Sequence, residues 1–388
     1  MKYAHLIWKN LWRRKARTFF TLLSILASFA TYAVLSAVNV GFSAGVDVAG
    51  ADRLLTIHKV SLIQPLPISY LERIRNTQGI EAVTYASWFG GIYQDPKNFF
   101  GQMAVDPESF LDLYPEYRLP EDEKKDWLAN RSGAIVGRQL ANRFGFKVGD
   151  KIPIQATIYR KRNGANPTLW EFTVSGIFDG AEKGTDTSSL YFRYDYLNEG
   201  MGGNLGFVGW YILRITDPAQ AGAVAERIDG LFANSPAETK TQTEKAFAQS
   251  FADQVGNIGA IVRAVLVAVF FTMLLVAGNT MAQAVRERTS ELAVLKTLGF
   301  SHGKVLALVL AESCFIAVLG GGLGLLGAAV VIIPVVGKAL GGFLPVFFLP
   351  AKDLALGVAL VLVFGIVAGL PPATQAMRLR IVDALRRV

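Results

Sequence analysis

Polar and apolar positions fall into long blocks along this chain. Four apolar runs reach the roughly twenty residues that a membrane-crossing helix needs. They are Thr18 to Phe42, Ile258 to Ala282, Val305 to Val336 and Leu354 to Leu370. The third is long enough to tilt, or to break at Pro334. The first is longer than the about 7–15 residues of a signal-peptide core and follows a basic stretch, so it reads as a retained anchor.

Between the first two runs, residues 43–257 change pattern. "RLLTIHKV" reads as a strand, "PISYLERIRNTQG" as a helix with Leu71 and Ile74 on one face, and "IEAVTYASW" as a second strand. The order recurs in "VGWYILRIT", "DPAQAGAVAERIDGLF" and "AETKTQ". There Asp217 is the predicted N-cap, Pro218 the first helical residue, and Val224, Ile228 and Leu231 the buried face. Two β-α-β units in one domain predict a ferredoxin-like pseudo-repeat. Between them, "RQLANRFG", "KIPIQATIY" and "WEFTVSGIF" predict a helix and two strands, read as a small inserted β-rich subdomain at about 131–185. Near the domain's end, Thr241 and Glu244 have capping-box spacing, and Phe247, Phe251, Val255 and Ile258 recur every three to four residues. These predict a stalk helix running unbroken into the second span. The fold class expected is thus an α-helical membrane protein with four transmembrane helices plus an α+β extracytoplasmic domain.

Composition agrees with that division. Of 388 residues, 52% are hydrophobic and 18% charged, where soluble domains carry about a quarter charged. Mean hydropathy is +0.34. The net charge of +8 comes from basic residues beside the apolar runs, which fits a membrane surface and not nucleic acid. Lys9, Arg13, Arg14, Lys15 and Arg17 precede the first span. Arg286, Arg288, Lys296 and Lys304 lie between the second and third, and Arg378, Arg380, Arg386 and Arg387 follow the fourth. The positive-inside rule puts both termini and the 286 loop in the cytoplasm and the large domain outside. One cysteine, Cys314, excludes an internal disulfide, and His5, His58 and His302 make no metal-ligand pattern.

"RERTSELAVLKTLGFSHGKV", residues 286–305, carries seven ionisable residues between two spans. Leu292, Leu295 and Leu298 recur every three residues as one apolar stripe, with Glu287, Arg288, Glu291 and Lys296 on polar faces. Lys296 falls in the last turn and Gly299 stops the helix. An interfacial helix resting on lipid fits this pattern, as does a docking helix for a protein partner. "GFSHGK" lacks one spacer of a phosphate-binding loop, has Val305 where a hydroxyl belongs and follows a helix; Gly299 as a stop and Ser301 as the next cap explain it better. "GLGLLG" matches a dinucleotide fingerprint but lies inside an apolar run. Gly320, Gly324 and Gly327 are instead expected to let helices approach closely. Glu312 is an intramembrane carboxylate that could serve function or bond a neighbouring helix. Arg263 is expected to snorkel. No catalytic constellation is found, and "DEKKD" reads as a solvated surface.

The residues from "RERTSELAVLKTLGFSHGKVLALVLAES" into the Gly-rich span resemble the FtsX-like permease domain of ABC transporters, with Arg288, Glu291, Leu292, Leu295, Lys296, Leu298 and Gly299 at the family's places. "PPATQAMRLRIVDALRRV" resembles its Pro-rich exit and basic tail, and "AIVGRQLANRFGFKVGDKI" with "FTVSGIFDG" resembles the MacB-type periplasmic core. The resemblance implies a layout of elbow helix 1–17 (Trp8 and Trp12 at headgroup depth), spans 18–42, 258–282, 305–336 and 354–370, and periplasmic domain 43–257. It also implies a coupling helix and loop at 283–304, a short loop at 337–353 and a tail at 371–388. It implies a non-catalytic permease of the bacterial inner membrane that binds no cofactor, ATP and Mg being held by a separate cytoplasmic ATPase that grips Arg286 to Gly299. Further implied partners are membrane lipid, a second permease copy or paralogue, and a periplasmic adaptor with an outer-membrane channel. Export by transmission of mechanical motion is the expected function. Lipoprotein release of the LolC/LolE kind and a non-transporting sensor or scaffold are the alternatives.

Overall fold

The computed structural model describes residues 15–379, apart from 49, 51, 183, 255–257 and 341–345. The elbow helix of residues 1–14, with Trp8 and Trp12, and the join between stalk and second span lie outside the described residues, as does the tail beyond 379. The chain forms two units: 41–257 with 337–346, and 1–40 with 258–336 and 347–388.

The first unit is built on strands β1 (Arg53–His58), β2 (Leu66–Pro67), β3 (Ile80–Trp88), β4 (Gly91–Ile92), β5 (Gln102–Val105) and β6 (Tyr117–Arg118). Then follow β7 (Gly133–Gly137), β8 (Lys151–Ala156), β9 (Leu169–Gly180), β10 (Leu190–Arg193), β11 (Phe207–Val208), β12 (Trp210–Ile215) and β13 (Thr239–Thr243). The main sheet runs β13-β1-β12-β3-β5-β10-β7-β9-β8-β4. Its first four strands interleave the two predicted β-α-β units. β12 pairs antiparallel with both β1 and β3, and β1 pairs antiparallel with β13, the ferredoxin-like order.

The residues between β3 and β12 extend this sheet. β7, β8 and β9, from the segment expected as an inserted subdomain at 131–185, are hydrogen-bonded into it through β10 and β5 and form no sheet of their own. Both faces are covered. Consecutive residues go to opposite sides: Leu54, Ala104, Ala134 and Leu213 to one core, Leu55, Val105, Ile135 and Ile212 to the other. That is the period-2 alternation of a strand with an apolar layer above and below. Helix Ala221–Leu231 buries Val224 and Ile228, but Leu231, its last residue, is 40% exposed, and Phe232 just after it takes the buried place against Tyr70. Asp217 caps as expected, its carboxylate accepting from Ala219 N at 3.0 Å.

The predicted capping box is replaced. Thr241 lies in β13, paired with Thr56, and the following helix begins at Glu244, with Thr243 Oγ1 accepting from Ala246 N. Cross-strand pairing of "TKTQT" outweighs the local cap, since Thr favours a half-buried pleated surface.

Among the described residues four helices are long and apolar enough to cross a membrane. Span 1 is Lys15–Val48, span 2 Ile258–Glu287, span 3 begins as His302–Gly327, and span 4 is Ala351–Met377. Ile25, Phe29, Ala33 and Ala37 of span 1 repeat every four residues and pack with Met273, Ala277 and Met281 of span 2 and Val361, Phe364 and Ala368 of span 4. Span 3 does not break at Pro334. It widens into a π-turn at Ala328–Ile332 and continues as Ile333–Leu340, because a proline without an N–H removes a hydrogen bond to the preceding turn. Span 4 runs through Pro371 and Pro372 to Met377, past the expected end at 370.

Candidate functional site

Span 2 ends at Glu287, and a separate helix of nine residues, Thr289–Thr297, follows. Arg288 makes the break. Gly299 ends the short helix at φ +90°, a left-handed conformation that costs glycine little. Gly299 N donates to Lys296 O and Phe300 N to Leu295 O, the two bonds of a Schellman cap, while Leu295 and Phe300 pack into one apolar cluster. Ser301 Oγ then accepts from Lys304 N to start span 3. "GFSHGK" is thus a stop and a start, as read from the sequence.

Each of the other three spans is bonded to this segment. Arg17 of span 1 meets Glu287 at 2.7 Å. Arg288 Nη1 donates to both oxygens of Glu312 of span 3, at 2.8 and 3.1 Å. Lys296 Nζ donates to the carbonyls of Met377 and Leu379 at the end of span 4, at 2.9 and 2.8 Å. Met377 O belongs to the last turn of the helix and Leu379 O lies just past its cap, where backbone acceptors lack partners within the helix and a cation is favoured. Burial lowers the pKa of Lys296 from the ordinary lysine value. The intramembrane carboxylate Glu312 therefore pairs with Arg288, and Arg288 and Lys296, read as polar faces, both turn inward. Arg288 also lies 3.7 Å from Glu291. Arg286 is exposed at the end of span 2. Lys296→Met should cost about 1.5–3 kcal/mol, the usual worth of hydrogen bonds from a charged donor. Thermal unfolding of the detergent-solubilised chain reads it, and an unchanged transition would mean the two bonds contribute nothing.

The leucine stripe divides. Leu292 is 2% exposed, Leu295 packs partly against the bundle, and Leu298 is 72% exposed. A repeat of three falls short of a helical turn of 3.6 residues, so two such steps rotate the side chain well away from the first. The exposed apolar residues are instead Val294, at 48%, and Leu298, four apart on the outward face.

Of the three glycines expected to pack, two do. A Cβ on Gly320 would lie 2.9 Å from Ile25, and one on Gly324 would lie 2.5 Å from the backbone oxygen of Leu26. Gly327 has open space within 4 Å, so it faces away from the other three spans. Spans 3 and 4 meet at a second, equally close interface. Gly365 and Gly369 of span 4 press on Cys314 and Ser313 of span 3, and Ser313 Oγ donates to Gly365 O at 2.8 Å. The G-x-x-x-G spacing of 365 and 369 was the available signal. Among the described residues no group of three or more His, Cys, Asp or Glu is placed to hold a metal ion.

Residues 18–231, more than half of the chain, match the MacB-like periplasmic core domain, and residues 232–381 match the FtsX-like permease C-terminal model. An uncharacterized ABC transporter permease of Methanocaldococcus jannaschii is 23% identical over 97% of this chain and 96% of its own length. The uncharacterized ABC transporter permease YknZ of Bacillus subtilis is 26% identical over 52% of this chain and 50% of its own length. Among solved structures, the periplasmic region of MacB from Actinobacillus actinomycetemcomitans superposes with a TM-score of 0.36 at 14% identity, over 52% of this chain and 94% of that one.

Proposed function

The chain belongs to the FtsX-like ABC transporter permeases with a MacB-like periplasmic core domain, and from that premise we propose that its 288–299 segment is the grip of a cytoplasmic ATPase. One observation carries the reading. Lys296 of the short helix bonds the end of span 4, its N-cap Arg288 bonds Glu312 of span 3, and Glu287 just before it, the last residue of span 2, pairs with Arg17 of span 1, while Val294 and Leu298 are left outward and apolar. A helix joined to span 2 at one end and bonded to spans 3 and 4 through Arg288 and Lys296 passes a push on to them, and an exposed apolar pair gives a partner something to bury.

In this reading ATP and Mg bind the partner. Closure of two ATPases draws together the short helices of two permeases, a copy or a paralogue, and the spans carry the displacement to a periplasmic domain. Such a step is rigid-body motion biased by nucleotide. Substrate is moved from the periplasm or the outer leaflet, with an adaptor and outer-membrane channel where the envelope has them.

Val294→Asp and Leu298→Asp test it. Each places a charge on the proposed contact without touching the bundle. Co-purification with the ATPase should fall at least tenfold while permease yield and unfolding temperature stay unchanged. Undiminished ATPase binding in the double variant would rule the face out. Leu295→Asp is the poorer probe, because that side chain packs into the bundle and the fold suffers with the contact.

A further inference from the structure

Two connectors join the α/β domain to membrane spans: the chain after span 1, which enters at Arg53, and the helix Glu244–Gln254, which leads to span 2. Arg53 and Glu244 are 191 residues apart in sequence, yet Arg53 Nε donates to Glu244 Oε2 at 2.6 Å. The same guanidinium donates from Nη2 and Nη1 to the two oxygens of Glu116, at 2.6 and 3.0 Å, and from Nη1 to Leu113 O at 3.2 Å. Its carbon lies 4.5 Å over the Tyr114 ring, and Tyr114 Oη donates to Glu244 Oε1 at 3.0 Å. Arg53 is 5% exposed. Burial opposes its charge, but Glu244 and Glu116 outweigh that and hold its pKa above the ordinary arginine value. Only a planar fork with several N–H groups can serve two carboxylates and a carbonyl at once; an ammonium cannot match that geometry.

We infer that Arg53 is a positioning residue that clasps the domain's two membrane connectors to each other and to the 113–116 turn, so that they move as one body. β1 and β13 are already paired, Leu54 opposite Thr243. That ladder stops where the helix begins, and the guanidinium carries the tie one residue further, onto the helix itself. The purpose of the clasp rests on the transport reading, since a displacement arriving through two connectors is passed on undivided only if they cannot slide. Its existence does not depend on any ATPase.

Hydrogen exchange by mass spectrometry on the full chain in lipid nanodiscs, without partner, reads the clasp directly. In Arg53→Met, amides of 244–254 should exchange about tenfold faster, with β7 and β9 unchanged. Arg53→Lys should restore part of the protection. Glu244→Ala, which leaves the Arg53–Glu116 pair in place, keeps the test open if Arg53→Met does not fold. It should loosen 244–254 and leave 110–118 protected. Unchanged exchange at 244–254, or an equal rise through the whole sheet, would overturn the inference. Exchange as expected but with Val294→Asp and Leu298→Asp still binding the ATPase would remove the grip and keep the clasp.

Discussion

Glu312→Leu should destabilise the folded chain by about 3 kcal/mol, and adding Arg288→Met should return most of that loss. Breaking a buried ion pair from one side costs about 3–5 kcal/mol, because the remaining charge is left without a partner in a medium that solvates it poorly. The Glu312 side chain is 8% exposed and that of Arg288 17%. The lower end of the range applies, since Glu291 stands 3.7 Å from Arg288 and offers partial relief. Replacing both partners by apolar groups of similar volume removes the penalty together with the attraction. Reversible unfolding in mixed micelles, run as a double-mutant cycle, gives the coupling between the two sites. A double variant as unstable as the single one would mean that Glu312 and Arg288 do not act as a pair.

Gly324→Val should cost about 3 kcal/mol or more, and Gly327→Val less than about 0.5 kcal/mol. The two positions lie in the same glycine-rich run, and sequence alone treats them alike. At Gly324 a Cβ would stand 2.5 Å from the carbonyl oxygen of Leu26. Backbone cannot turn aside as a long side chain can, so spans 1 and 3 must separate. At Gly327 nothing within 4 Å opposes the new side chain. Yield of folded protein and unfolding in the same micelles distinguish the two. Equal damage at both would show that Gly327 meets another chain.

Much of the architecture was legible because it is periodic. Long apolar blocks mark the spans, short runs rich in β-branched and aromatic residues mark β1, β3 and β12, and polar–apolar alternation marks the paired β8 and β9. Asp217, Gly299 and Ser301 were legible because caps and stops need particular side chains at particular places. What failed was partnership at a distance. Nothing local says that Arg288 turns inward to Glu312, or that Glu244 abandons a capping box for Arg53. A local cap is worth about 1 kcal/mol, less than a buried charge-assisted bond, and the chain follows the larger energy. The leucine stripe failed for another reason: three positions spaced by three do not share a face.

The pairing of β1 also bears on how the protein is made. β1 finds its sheet partners in β12 and β13, at residues 210–243, near the far end of the domain. A chain emerging residue by residue therefore has span 1 complete long before the strand that follows it can pair. Until β12 and β13 arrive, the apolar "LLTI" of β1 is an open edge, a template for any other extended chain. Closing a sheet over so long a separation is slow. The domain can finish only when the residues just ahead of span 2 have crossed, so biogenesis of this protein couples translocation of the whole 53–243 segment to the completion of a single sheet.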